Sequence, residues 1–247
     1  MYGFTKRAVA ALLGCAALGT GGAASAAEAE SESAFTISGS AGLFSEYRFR
    51  GVSLSDENFA AQASIGISHE SGFYVGAWGS NLAGFGSFGG SNVELDLYGG
   101  WKGNLGGVDL DVGAVDYQYP GTANTDFFEL YASASKALGP VTGKVGVYYT
   151  PDQKHIADDN FYLFTDLSAA IPNTPFTLKA HAGYTDGVFA LGEKNLFDYS
   201  VGVDYVYKAL TFNVSYVDTD YSRPGAASAA LRDISDSAVL FSVTAAF

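Results

Sequence analysis

The sequence contains a single cysteine, at position 15 of 247 residues. Cys15 lies in a segment ordered like a secretory signal, with Lys6 and Arg7, an apolar run, and small residues ending at Ala26. We predict a signal peptide over residues 1–26 and a mature start near Ala27. The mature chain would then contain no cysteine, which excludes disulfide bonds and thiolate chemistry.

An alternative for Cys15 is lipidation, because Leu12, Leu13 and Gly14 precede it in the order found in lipoprotein signals. Only a short apolar stretch separates Cys15 from Arg7, which favours the cleaved signal peptide.

Charge is scarce. Charged residues make up 16% of the chain, against about a quarter in a typical soluble domain, while hydrophobic residues reach 48% and aromatic residues 15%. This balance indicates that something other than water solvates part of the surface. Loss of Lys6 and Arg7 would change the formal net charge from −13 to −15. An acidic chain of this kind is not expected to bind nucleic acid or anionic lipid headgroups.

Beyond the N-terminus the sequence lacks any uncharged apolar run of the roughly 18 residues that a membrane-spanning helix requires. Its pattern has period two instead: from Phe35 to Arg50, odd positions are mostly apolar and even positions mostly polar or small. The same alternation returns in segment after segment up to Phe247, with turn-rich stretches between them. It predicts about twelve strands of about ten residues.

We therefore predict an all-β fold, a transmembrane antiparallel up-and-down β-barrel over residues 35–247, with a short lead over 27–34. The connections alternate in length, as do the periplasmic turns and external loops of such barrels. Tight turns are expected around Glu70, Asn104, Ala137, Asn173 and Lys208, and longer ones around Leu54, Phe85, Thr122, His155, Ala190 and Ala227.

A soluble β-sandwich would also alternate, but with its polar face outward. An apolar face almost without charge and aromatic residues near strand ends favour lipid as the surroundings, in the bacterial outer membrane. The aromatic residues expected in such a lipid-facing girdle are Phe35, Tyr47, Phe49, Phe73, Trp101, Tyr149, Phe161, Phe176, Tyr184, Tyr199, Tyr205 and Tyr216.

The last strand carries Phe241 and Val243 and ends in Phe247. Alternate apolar residues before a terminal phenylalanine are similar to the signal that the outer-membrane assembly machinery reads, so this machinery is an expected partner. Outer-membrane lipid, lipopolysaccharide and small solutes are the other expected partners.

Several segments resemble the TorF porin family. They are SEYRFRGVSL (45–54), ESGFYVGAWGSN (70–81) and SYVDTD (215–220), together with Tyr117, Tyr119, Pro120, Gly121, Glu129 and Tyr131. The resemblance covers most of the predicted mature chain and implies an outer-membrane porin-like barrel. It implies no catalytic residues.

If the apolar face meets lipid, the polar side chains point into a lumen of mixed charge. Acidic residues outnumber basic ones there, so we expect a weak preference for cations. The predicted pore-lining residues are Glu46, Arg48, Arg50, Trp78, Glu94, Asp96, Tyr98, Asp109, Asp111, Tyr117, Tyr119, Glu129, Tyr131, Lys144, Asp166, Lys179, His181, Asp198 and Asp204.

Two groups in this lumen have alternative interpretations. Arg48 and Arg50 either hold a carboxylate or phosphate, or form salt bridges with Glu46, Glu94 and Asp96. The inward tyrosines and Trp78 either form a stacking track for solutes or simply fill the lumen.

Catalysis is not expected, because none of His69, His155 and His181 is predicted to pair with a serine on a lipid-facing strand. Acidic loop segments have no EF-hand spacing, so neither a metal nor another cofactor is expected. The predicted function is a porin-like channel for passive diffusion of small polar or ionic solutes. The alternative is a closed barrel that binds a partner or lipopolysaccharide through its external loops.

Overall fold

The computed structural model describes residues 33–156, 158–221 and 229–247. The predicted signal peptide, Cys15, residues 27–32 of the lead and the loop centre at Ala227 lie outside these ranges. Within them, no helix is both long and apolar enough to cross a membrane.

The described residues form twelve long strands and two short ones, with short 3₁₀ turns at Gly84–Gly86, Phe88–Gly90 and Val188–Ala190 and one α-helical turn, α1, at Ala229–Asp233. The strands are β1 (Phe35–Phe44), β2 (Arg48–Phe49), β3 (Val52–Ser53), β4 (Ala60–His69), β5 (Phe73–Asn81), β6 (Val93–Leu105), β7 (Val108–Gln118), β8 (Phe127–Leu138), β9 (Val141–Thr150), β10 (Asn160–Ala170), β11 (Phe176–Gly187), β12 (Asn195–Tyr207), β13 (Leu210–Thr219) and β14 (Ala238–Ala246).

All strands except β2 and β3 join one closed antiparallel barrel. From β4 onward each strand pairs with the next along the chain, and β1 closes the barrel between β4 and β14. The predicted up-and-down barrel of about twelve strands is therefore confirmed. A closed barrel satisfies the backbone hydrogen bonds of every strand without leaving an edge.

The two faces of the wall differ as the alternation predicts. In β5, Phe73 and Val75 are 64% and 61% exposed on the outside, whereas Tyr74 between them is 7% exposed. In β12, Val201 is exposed and Ser200 is buried. A soluble sandwich would present the opposite arrangement, so that alternative is excluded. An apolar exterior around a closed barrel fits a lipid bilayer.

The connections alternate in length around the barrel. Those at 70–72, 106–107, 139–140, 171–175 and 208–209 are short, and those at 45–59, 82–92, 119–126, 151–159 and 188–194 are longer. All of these lengths match the sequence-based prediction.

The first strand is shorter than predicted, because β1 ends at Phe44 and does not continue to Arg50. The chain then leaves the wall and forms the β2–β3 hairpin. Tyr47 is 1% exposed, and the ring of Phe49 lies 5.9 Å from that of Tyr117, between centroids. The prediction that Tyr47 and Phe49 belong to the lipid-facing girdle is therefore wrong. Period two identifies an extended chain, but it does not show whether that chain lies in the wall or inside it.

Most of the other predicted girdle residues do lie outside. Trp101 and Tyr184 are half-buried. The exposed ones are Phe35, Phe73, Tyr149, Phe161, Phe176, Tyr199, Tyr205 and Tyr216.

Candidate functional site

The β2–β3 hairpin carries Arg50 into the barrel, where its guanidinium meets Glu129 of β8. Arg50 Nη2 donates to both carboxylate oxygens at 2.7 Å. Glu129 is completely buried and also accepts hydrogen bonds from the Tyr117 hydroxyl at 2.8 Å and the Thr150 hydroxyl at 2.5 Å. Burial by itself lowers the pKa of Arg50, but the nearby Glu129 carboxylate outweighs it and raises that pKa above its ordinary value. Arg50 is therefore a permanent charge that links the hairpin to the opposite wall.

Aromatic rings surround the same guanidinium. Its carbon lies 4.6 Å from the ring centroid of Phe49, 4.5 Å from that of Tyr162 and 5.5 Å from that of Tyr148. Cation–π attraction within about 6 Å adds to the ion pair. These contacts position Arg50 in a narrow space between β8, β9 and β10.

Arg48 fixes the hairpin on the other side. Its Nε donates to Glu46 at 2.8 Å, and its Nη1 donates to the carbonyl oxygens of Gly51 at 3.0 Å and Asp236 at 2.7 Å. Asp236 belongs to the connection between β13 and β14. The salt-bridge interpretation thus holds for Arg48 with Glu46, whereas Arg50 pairs with Glu129 and not with Glu94 or Asp96.

A second polar network runs across β10, β11 and β12. His181 Nδ1 lies 2.6 Å from Asp166 Oδ1, and His181 Nε2 lies 3.1 Å from Asp198 Oδ1. The Tyr162 hydroxyl lies 2.9 Å from His181 Nε2 and donates to Asp198 Oδ1 at 3.2 Å. A doubly protonated imidazole would donate to both carboxylates, so this histidine is placed as a cation and not as a general base.

Two further ion pairs lie on the inner face. Lys102 Nζ is 3.5 Å from Asp111, and Lys179 Nζ is 3.7 Å from Asp204. Ion pairs of this kind neutralise most of the basic groups inside the barrel.

Glu94 and Asp96 of β6 are 1% and 2% exposed. Among the described residues, neither lies within 4.0 Å of a basic side chain. The Tyr119 hydroxyl donates to Glu94 at 3.4 Å, while Asp96 Oδ1 has no hydrogen-bond partner. These two carboxyl groups are therefore buried without a counter-charge, which is costly for an ionised group.

Asp109 differs from the other predicted lining residues. It is exposed at the start of β7, beside a short turn, and it accepts a hydrogen bond from Asn104 at 2.6 Å. It therefore lies at the rim of the barrel.

The inward aromatic residues pack into one cluster. The cluster includes stacked Tyr117 and Phe127, with ring centroids 4.5 Å apart, and Tyr47 against Trp78 at 5.4 Å. The Tyr74 hydroxyl contacts Asp111 and Tyr131. Mutual packing of this extent matches the lumen-filling interpretation. The predicted lining residues in this cluster are Trp78, Tyr98, Tyr117, Tyr119 and Tyr131.

Beside this cluster is a cavity of about 170 Å³. Its lining combines Glu46 and the hairpin with residues of β7 and of β9 to β14, and it brings together predicted residues that are distant in sequence. These are Glu46, Arg48, Arg50, Tyr117, Lys144, Asp166, His181 and Asp198.

Several lining residues were not predicted. Ser200, Asn213 and Ser215 complete the polar side of the cavity, and Thr150 completes the Glu129 site. Their inward register on alternating strands was the signal that could have identified them. Phe49 could not be identified this way, because its position depends on how the hairpin folds back.

The three histidines do not share a site. His69, half-buried at the end of β4, approaches a serine of the turn that follows, with Nδ1 2.7 Å from Ser71 Oγ. Ser71 is exposed in this turn and does not lie on a lipid-facing strand. His155 lies in the β9–β10 connection. In the described part of the chain, no three His, Cys, Asp or Glu side chains converge as metal ligands.

Comparisons with known proteins agree with this architecture. A family model described as "Bacterial protein of unknown function (Gcw_chp)" matches residues 28–247. No curated protein matches the sequence.

Several solved structures share the fold. A NanC porin covers 86% of this chain and 99% of its own, at 10% identity and a TM-score of 0.58. A KdgM porin, solved in complex with disordered oligogalacturonate, covers 85% and 98%, at 8% identity and a TM-score of 0.55. An outer membrane channel from Pseudomonas putida F1 covers 88% and 96%, at 10% identity and a TM-score of 0.53. The porin-like barrel and the apolar exterior both place the protein in the bacterial outer membrane.

Proposed function

We propose a channel function for this chain, which belongs to the family of bacterial proteins of unknown function named Gcw_chp. Small polar or ionic solutes would diffuse passively through its lumen. The observation that carries the proposal is the combination of an apolar exterior with an interior that holds a charged cavity of about 170 Å³. A barrel with only a structural role has no need of such a cavity.

The β2–β3 hairpin is proposed as the constriction of this channel. It leaves the wall after β1, and Arg50 at its tip reaches Glu129 on β8. The predicted lining residues around this bridge, including Lys144, Asp166 and Asp198, are proposed to contact the solute.

We propose that the channel weakly prefers cations over anions. Ion pairs engage Arg48, Arg50, Lys102 and Lys179. Acidic residues outnumber basic ones among the predicted lining residues, and Asp166 and Asp198 share one basic partner, His181. This excess is proposed to raise the local cation concentration.

The resemblance to the TorF porin family supports the same proposal. Lipopolysaccharide around the external loops and the outer-membrane assembly machinery, which would engage Phe241, Val243 and Phe247, are proposed partners. Phe241 and Phe247 are exposed on the closing strand and at the residue that follows it.

One observation favours a second candidate, a closed barrel that binds partners through its loops. The Arg50–Glu129 bridge and the aromatic cluster together fill much of the interior. The two candidates differ in whether solutes cross the barrel at all.

Planar-bilayer recording tests the channel. Wild-type protein is expected to give small conductance steps. The double variant Arg50→Asn/Glu129→Gln is expected to give larger ones, because it removes the bridge without leaving an unpaired buried charge, and asparagine tolerates a left-handed backbone. The control Lys154→Gln, in the exposed β9–β10 connection, should match the wild type.

Asymmetric salt in the same recordings tests the preference. We expect a weakly cation-selective reversal potential that declines in Asp166→Asn and at high salt. Absence of conductance in both the wild type and the bridge variant would contradict the channel and favour the closed barrel.

A further inference from the structure

The cavity beside the hairpin is large enough for a compact molecule. Its volume of about 170 Å³ is close to that of an engineered cavity of about 150 Å³ that accommodates benzene. A ligand with roughly six to eight non-hydrogen atoms would fit this space.

The residues that line the cavity include hydrogen-bond donors without acceptors. Arg48 Nη2 and Arg50 Nη1 have no hydrogen-bond partner, although the side chains are only 5% and 7% exposed. Both arginines line the cavity. Buried donors are nearly always paired, because an unpaired one keeps the full cost of losing its water.

Lys144 adds a third positive group to the same lining. In the described residues it has no ion pair within 4.0 Å, although Asp166 is its cross-strand neighbour. Its Nζ lies over the ring of Phe164, 5.4 Å from the centroid. These three cationic groups leave room for an anion.

The cavity also has an acceptor without a donor. Asp198 Oδ1 is engaged by Tyr162 and His181, but Asp198 Oδ2 has no partner and the residue is 5% exposed. A simple anion would leave this oxygen unpaired, and a simple cation would leave the guanidinium nitrogens unpaired.

We infer that this cavity binds a small zwitterion of the α-amino acid class, with its carboxylate at Arg48, Arg50 and Lys144 and its ammonium group at Asp198. The inference rests on the proposed channel function, because the solute would reach the site through the lumen. One ligand of this class supplies both an acceptor for the cationic groups and a donor for Asp198.

The test is calorimetric titration of the wild-type protein in lipid nanodiscs with three related compounds. L-Serine carries both charges, L-glycerate replaces the ammonium group by a hydroxyl group with the same configuration, and ethanolamine lacks the carboxylate. We expect L-serine to bind at least about tenfold more tightly than either of the others.

Variants assign the two ends of the ligand. Asp198→Asn is expected to weaken L-serine binding about tenfold and to leave L-glycerate binding nearly unchanged. Lys144→Gln is expected to weaken both and provides a second measurement if Asp198→Asn does not fold. Matched controls are Asp152→Asn and Lys154→Gln, which are exposed in the β9–β10 connection and should bind like the wild type.

Equal binding of L-serine and L-glycerate would overturn the amino acid assignment in favour of a hydroxy acid or a simple carboxylate. No binding of L-serine to protein that conducts ions would overturn the binding site and leave the channel. Binding of L-serine without any ion conductance would overturn the channel and leave the binding site.

Discussion

Arg50 combines an unusual backbone with an unusual environment. Its φ is 50° and that of Gly51 is 83°, so the β2–β3 turn has two left-handed residues in a row, as type I′ turns do. Asparagine and glycine are the usual residues there, and an arginine in this region costs about 1–2 kcal/mol. Such strain persists where the side chain has a role. The side chain of Arg50 has such a role, because it forms the buried bridge to Glu129.

Glu129→Gln should show how much the protein loses in stability when this bridge is broken. The substitution is nearly isosteric, but it leaves the Arg50 guanidinium buried without a counter-charge. We expect a loss of about 3 kcal/mol in the free energy of unfolding, measured by urea unfolding of the barrel in lipid vesicles. Asp152→Asn, at an exposed loop position, should change the same quantity by less than about 0.5 kcal/mol. Equal values for the two variants would mean that the bridge contributes little to stability.

At the scale of elements, the seam between β1 and β14 is the weaker of the two junctions of β1, because fewer residues of β1 pair with β14 than with β4. All of Phe35–Phe44 pairs with β4, but only Ser40–Phe44 pairs with β14. Two hydrogen bonds between Gly39 and Phe247 extend the seam by one step. The first residues of β1 therefore depend on β4 for their pairing.

Hydrogen exchange should follow this asymmetry. Amides of β14 that bond to β1 are expected to exchange faster than amides of β4 that bond to β1, because fewer neighbouring bonds must open with them. Mass spectrometry of peptides from the two strands, in nanodiscs, measures the difference. The β11 peptide, which is paired on both sides from Thr177 to Asp186, is the internal reference for slow exchange. Faster exchange in β4 than in β14 would contradict the expectation.

At the scale of the whole molecule, stability depends on which surface meets lipid. Leu97 is exposed on the outside of β6, and its cross-strand neighbour Ala77 is the central residue of β5. Leu105 is exposed on the same face, at the end of β6. A charge at these two positions therefore samples two depths of the bilayer.

Leu97→Arg should lower the free energy of unfolding by about 2–4 kcal/mol, whereas Leu105→Arg should lower it by no more than about 1 kcal/mol. Unfolding in vesicles measures both. Similar small losses for the two variants would show that the band around Leu97 does not lie at the centre of the bilayer.

The sequence by itself determined the barrel, its strand number and the alternation of short and long connections. A period of two is a local property of an extended chain. A barrel with lipid outside and polar groups inside requires this alternation in every strand from Phe73 to Tyr216. The same logic placed Glu129, Lys144, Asp166, His181 and Asp198 on one face, without knowledge of their contacts.

Only the tertiary structure decided where the chain leaves the wall of the barrel. Residues 45–50 continue the alternation, yet they fold inside the barrel, so Tyr47 and Phe49 are interior residues and Arg50 reaches Glu129, 79 positions away. Pairings of this kind depend on closure of the barrel, which brings β8, β10 and β12 around the hairpin. Alternation along one strand cannot specify which distant residue pairs with a buried charge. That partner is determined by which side chains the fold brings together in the interior, where the low dielectric makes an unpaired charge costly.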